Sequence, residues 1–300
     1  MPYDHQTLSV TYLKLVLVSL LWGGGFIAGK ILMNAQTGPY AAAFNRFLVA
    51  SACLLIILLR VEGKLPRLSG RQWLLVGALG LSGVFLYNAF FFNGLRYIPA
   101  SRASLIVAVN PVVTAIASAV VFREKITWLR WLGIGLSMAG AVVVISHGQP
   151  QNLWNGGISI GDGLIFGCVL VWTVYTLVGK VALRDLSPLV AVTYSSVAGC
   201  IALFVMAVPE GLFAGYRSMD AQMWAAIAFL GVFSTALAFN WFYEGVKAIG
   251  ASQAAVFGNL VPVFAVLLAV IVLGERIDAS TVIGGGLVLA GVMLTNRIST

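Results

Sequence analysis

The residues of this chain able to do chemistry are few, and they sit inside apolar runs. Those runs hold Trp22, Arg46, Tyr87, Asn88, Phe91, Asn110, Trp172, Tyr175, Asn240, Trp241 and Asn259. Hydrocarbon rejects amides and guanidinium groups unless they face protein, water or a ligand. Flat aromatic walls with a few orienting polar groups are the makings of a small-molecule cavity. In "FLYNAFFFN" Tyr87, Asn88 and Phe91 fall within about one helical turn, and in "FNWFYE" Asn240, Trp241 and Tyr243 do the same. The competing readings are interfacial anchoring for the rings and interhelical hydrogen bonding for the amides. Arg46 is the costliest of the set, roughly 10 Å inside its run by helical rise. Its fork suits a carboxylate-bearing substrate; bonding to backbone carbonyls or snorkelling is the structural alternative.

Catalytic and metal sets are missing from this pattern. His5 and His147 lie in terminal or loop segments, no acidic pair occupies mid-run depth, and Cys53, Cys168 and Cys200 are isolated within apolar runs. No enzyme activity, metal or cofactor is expected. Gly23-Gly24-Gly25 is not a phosphate loop, since no strand precedes it and no GK[ST] follows. It suits close helix packing or a bend, as do Gly133, Gly135 and Gly284-Gly285-Gly286.

The elements that must position these residues follow from composition. Sixty per cent of the 300 residues are apolar, 9% are charged, and the mean hydropathy is +0.97. Apolar windows of about 20 residues, the length that crosses a bilayer as a helix, recur throughout without period-2 alternation. The chain is therefore expected to be an all-α polytopic membrane protein. Its ten transmembrane helices are predicted near 11–33, 39–60, 72–94, 101–122, 128–147, 158–181, 188–208, 221–246, 252–273 and 280–297. The first run, lacking a short core and cleavage site, reads as a retained span. With a cytoplasmic N-terminus, eleven Lys and Arg fall in inside segments and four outside, so both termini are expected inside. The net charge of +8 then reflects topology, not nucleic-acid binding.

The chain also repeats itself. "WGGGFIAGK" (22–30) matches "WTVYTLVGK" (172–180) at an offset of 150, and "GLRYIPASRA" (94–103) matches "GVKAIGASQA" (245–254) at 151. From Gly94 to Gly140 the second register gives 15 identities in 47 positions, including Pro111/Pro262 and Glu124/Glu275. Residues 1–147 and 148–300 thus form two five-helix repeats, and an odd number of spans inverts the second. Inverted repeats build many secondary transporters, with a midplane site between halves that rock. Pro111 and Pro262 are expected to bend their helices. Lys30, Glu275, Lys180 and Glu124 fall at helix ends, which suggests an outer Lys30–Glu275 contact and an inner Lys180–Glu124 contact that gate the cavity. Snorkelling and local pairing are the alternative.

Five plus five spans, a Trp followed eight residues later by Lys in helices 1 and 6, Arg46-Phe47 in helix 2 and P-x(12)-E in helices 4 and 9 resemble the drug/metabolite transporter superfamily, in its EamA-repeat branch. Within it the chain is similar to the aromatic amino acid exporters. The resemblance implies export of small metabolites from a central cavity between the repeats. A neutral or aromatic amino acid is the expected substrate. A drug, nucleoside or sugar-type exporter of the same fold is the alternative, and a non-transporting receptor or scaffold is the alternative from another class. The expected partners are a small-molecule substrate and the lipid bilayer of a bacterial inner membrane; the oligomeric state stays open.

Overall fold

A computed structural model describes residues 5–122, 127–149, 151, 158–249, 254 and 257–296. All its regular elements are helical: α1 (His5–Asn34), α2 (Pro39–Glu62), α3 (Gly70–Tyr97), α4 (Ala100–Val107 and Asn110–Phe122), α5 (Trp128–Ile145), α6 (Ile160–Ala182), α7 (Pro188–Ala207), α8 (Ala221–Ala228 continuing to Ile249), α9 (Gly258–Leu260 and Val261–Leu273) and α10 (Ala279–Asn296). Among the described residues, seven helices are long and apolar enough to cross a membrane. Shorter apolar helices over Trp131–Ile145, Gly258–Leu273 and Ala279–Leu294 stand where the fifth, ninth and tenth spans were expected. Large apolar side chains such as Leu74, Val120 and Ile271 point outward, the last 77% exposed. Water would penalise such a surface, and a bilayer accommodates it. The chain is a polytopic helical membrane protein.

Packing follows the repeat. α1 packs on α9 and α8, and α6 packs in the same way on α4 and α3; α2 pairs with α7, and α5 with α10. Adding five to each helix number carries every one of these pairs onto another or onto itself. Glycine makes the α5–α10 contact possible. A Cβ on Gly140 would lie 2.5 Å from Gly284 O, and one on Gly284 would lie 2.7 Å from Gly140 O. α1 runs through its triple glycine as one continuous helix. Gly23 brings α1 against the α9 backbone, where a Cβ would sit 2.9 Å from Ala265 N.

Departures from regular α-helix occur in both halves. α3 is π-helical over Gly80–Leu86, and α8 over Phe229–Leu237. There the amides of Tyr87 and Ala238 reach back to Ser82 O and Phe233 O. Such widened turns displace backbone groups and often mark functional sites. α4 is interrupted at Ala108-Val109, and α9 opens on the 3-10 turn Gly258–Leu260. Pro111 and Pro262 both occupy the first turn of an α-helical segment. A proline costs little there, because its missing N–H has no intrahelical partner to lose.

Carboxylates sit at the starts of all the even-numbered helices. Glu210 accepts from Ala41 N at α2, Glu275 from Ala100 N and Ser101 N at α4, Asp220 from Met223 N at α8 and Asp278 from Thr281 N at α10. Asp162 completes a capping box with Ser159 at α6. When each helix reverses the chain, these ends share one face, where anions meet the positive ends of helix dipoles. α3 and α7, starting opposite, are capped by the neutral Ser69 and Ser187.

Candidate functional site

A cavity of about 250 Å³ lies between the halves. Trp22 and Phe26 reach it from α1, Arg46 from α2, Tyr87 and Phe91 from α3, and Trp172 from α6. Ser234 and Phe239 come from α8. Asn110-Pro111 come from α4, and Asn259, with Pro262, from α9. Asn110 opens the second α-helical segment of α4, and Asn259 lies in the 3-10 turn on which α9 opens.

The walls are aromatic. Trp172 packs on Tyr87 with ring centroids 5.4 Å apart, Tyr87 stacks on Phe91 at 6.0 Å, and Trp22 meets Phe239 edge-on at 5.7 Å. Arg46 is the one charged residue among the described residues of the lining. It donates from Nε and Nη2 to Thr235 Oγ1 (3.3 and 3.2 Å) and from Nη1 to Asn88 Oδ1 (3.1 Å). No carboxylate lies within ion-pair distance of it among the described residues. Two cavity amides hold buried atoms without a partner there: Asn110 Oδ1 and Asn259 Nδ2. A buried amide atom left unpaired costs about 1–3 kcal/mol, which a ligand can relieve.

Seven of the eleven expected binding residues border this cavity, namely Trp22, Arg46, Tyr87, Phe91, Asn110, Trp172 and Asn259. Asn88 lies behind it, 1% exposed, as a support for Arg46. Tyr175 packs beneath Trp172 at 5.1 Å and against Gly83. Asn240 bonds Glu244 instead, and that carboxylate pairs with Lys14 on α1 at 2.6 Å. Trp241 is half-buried outside the lining. In the 151-residue register Asn88 matches Phe239 rather than Asn240. One residue along a helix is a turn of about 100°, so Asn240 faces away while Phe239 takes the wall.

The expected end contacts have a definite geometry on one side. Lys30 Nζ donates to Leu95 O (2.7 Å) and Ile98 O (3.0 Å), closing the end of α3. Glu275 accepts from Ala100 N, Ser101 N and Ser101 Oγ, capping the start of α4. Both groups border a second pocket of about 300 Å³ with Tyr97 and Pro99. They hold the α3–α4 turn with opposite charges and form no ion pair with each other among the described residues. Lys180 is exposed in the last turn of α6. Glu124 lies outside the described residues.

A buried charge network went unread in the sequence. Arg102 (7% exposed) makes a two-pronged pair with Asp162 (2% exposed), both distances 2.7 Å. Arg102 also bonds Ile145 O and His147 Nε2, and His147 Nδ1 meets Asp278 at 3.1 Å. The network ties α4, α5, α6 and α10 at their shared end. Its members are 45 and 60 residues apart from Arg102, so no local spacing announces it. Thr235 was missed for the same reason.

Helical segments that pair in two like halves around an aromatic cavity are a build that transporters use. The pattern of the EamA-like transporter family matches residues 9–146 and again 159–297, and the chain belongs to that family. It is 32% identical over 287 residues to the uncharacterized transporter YyaM of Bacillus subtilis, covering 96% of this chain and 93% of that one. A probable terminal-alkyne amino-acid exporter of Streptantibioticus cattleyicolor is 27% identical, over 97% and 94% of the two chains. An S-adenosylmethionine/S-adenosylhomocysteine transporter of Chlamydia trachomatis is 24% identical, over 92% and 86%. A crystal structure superposes with a TM-score of 0.67 at 20% identity, covering 97% of this chain and 98% of that one, which shows a shared fold. The protein is a membrane transporter of small metabolites.

Proposed function

We propose that this transporter exports or exchanges neutral amino acids with apolar or aromatic side chains. The observation that carries the reading is the aromatic-walled cavity in which Arg46 supplies the one charge of the described lining. Rings at Trp22, Trp172, Tyr87 and Phe91 suit a flat side chain, and Arg46 with two unpaired amides suits a zwitterionic head. The likeness to an amino-acid exporter supports the same substrate class.

Transport proceeds by alternating access of the two inverted repeats around this cavity, in a bacterial inner membrane with both termini cytoplasmic. The excess of Lys and Arg on one side of the chain supports that orientation. Lys30 and Glu275 act at the outer gate by holding the α3–α4 turn, and the matching Lys180 and Glu124 act at the inner one. The test is uptake into proteoliposomes of labelled phenylalanine, leucine, threonine, a nucleoside and a cationic dye. Saturable phenylalanine or leucine uptake is expected; movement of the dye with no amino acid would overturn the assignment.

A further inference from the structure

Arg46 has five N–H groups to place and no anion to meet among the described residues. Three hydrogen bonds are made within the protein: Nε and Nη2 to Thr235, and Nη1 to Asn88. One N–H on each terminal nitrogen remains, and Arg46 borders the cavity. Two such groups match the two oxygens of a carboxylate.

The residues holding the fork are themselves fixed so that they can only accept from it. Thr235 commits its hydroxyl proton to Leu230 O at 2.8 Å, so its oxygen is left to receive from Arg46. Asn88 commits its NH2 to Val84 O at 2.7 Å, which turns Oδ1 toward Arg46. Both accepting carbonyls lie in the π-helical stretches of α8 and α3. One such stretch from each half thus aims one cation, and Thr235 and Asn88 are each 1% exposed. The supports are neutral dipoles. They orient the guanidinium without balancing its charge, and a charge so placed is stabilised most by an arriving anion. Asn259, 6% exposed, borders the same cavity and holds a buried, unpaired Nδ2. Asn110 Oδ1 is an unpaired acceptor suited to an ammonium.

We propose that Arg46 docks the carboxylate of the transported molecule, and that Thr235 and Asn88 are positioning residues that keep its free fork facing the cavity. The inference rests on the amino-acid reading above but can fail apart from it.

The test uses the purified full chain and three probes: phenylalanine, phenylalaninamide, which lacks the carboxylate, and 3-phenylpropionate, which lacks the ammonium. Binding is read by quenching of tryptophan fluorescence and transport by uptake into proteoliposomes. In the wild type phenylalanine is expected to bind at least tenfold more tightly than its amide. Thr235→Val should raise KM for phenylalanine about tenfold, the size of one lost charge-assisted hydrogen bond, with kcat little changed. Thr235→Ser, which restores the acceptor, should recover it. Arg46→Gln should bring the acid and the amide to equal, weak affinity. A wild type that does not distinguish phenylalanine from its amide overturns the docking while leaving the substrate class standing. Binding of 3-phenylpropionate that depends on Arg46, with no amino acid moved, leaves the docking and removes the substrate class. If none of the three probes binds, both fall.

Discussion

Asp162→Asn should be among the most damaging single substitutions in the protein, though it lies outside the cavity. Asp162 accepts from Arg102 Nε and Nη2 at 2.7 Å each, and from Ser159 N at 2.8 Å. The side chains are 9% and 2% exposed, so water cannot replace what is lost. Asparagine keeps the shape but removes the charge and turns an NH2 toward a guanidinium that already donates. Arg102 would keep the asparagine Oδ1, Ile145 O and His147 as partners, none an anion. Breaking a buried pair from one side costs about 3–5 kcal/mol. At about 2–4 °C per kcal/mol for chains of this order, the melting temperature in detergent should fall by roughly 6–20 °C. The assay is intrinsic-fluorescence melting, run beside the double variant Arg102→Met with Asp162→Leu. The double variant should recover most of the loss, because replacing both ions with apolar groups strands no charge. A single variant melting within about 3 °C of wild type would refute the argument, as would a double variant no better than the single.

Three further outcomes are expected. Glu275→Gln weakens three hydrogen bonds at the start of α4 but none in the cavity. It should lower transport turnover about tenfold with KM unchanged, if the cap holds in only one end state; an unchanged turnover in proteoliposomes would remove Glu275 from the gate. Gly140→Leu should prevent α5 and α10 from meeting, since a Cβ there lies 2.6 Å from Val288 N; overpacking of this kind costs about 1–3 kcal/mol or more, seen as a lower melting temperature. Thr281 first, and His147 after it, hold the Asp278 carboxyl well below the usual carboxylate range. A depressed folded value means stabilisation present above the unfolded pKa of about 3.9 and lost as pH falls through the folded one. The melting difference between wild type and Asp278→Asn should therefore be widest near neutrality and narrow below about pH 4; a difference independent of pH would count against an ionised Asp278.

Much of this was legible in the residues. Apolar runs of bilayer length determine a polytopic helical protein whatever their arrangement, because unpaired backbone groups are intolerable in lipid. The two registers of the repeat disclosed matching halves, and with them the partnership of Trp22 with Trp172 and of Pro111 with Pro262. Polar residues at depth are so costly that Arg46, Asn110 and Asn259 stood out unaided, and all three border the cavity. What the tertiary structure alone decided is which atoms meet. The π-helical turns of α3 and α8 have no sequence signature, yet they bring Asn88 and Thr235 to Arg46 from 42 and 189 residues away. A phase shift of one residue, invisible in a list of aromatic and amide positions, turned Asn240 toward Glu244 and gave its place to Phe239. No local spacing announces the Arg102–Asp162 pair, whose members lie 60 residues apart. Hydrophobicity and repetition are sums over many residues, and they survive in one dimension. The partner of a single charge depends on helix phase and crossing, which exist only once the bundle has closed.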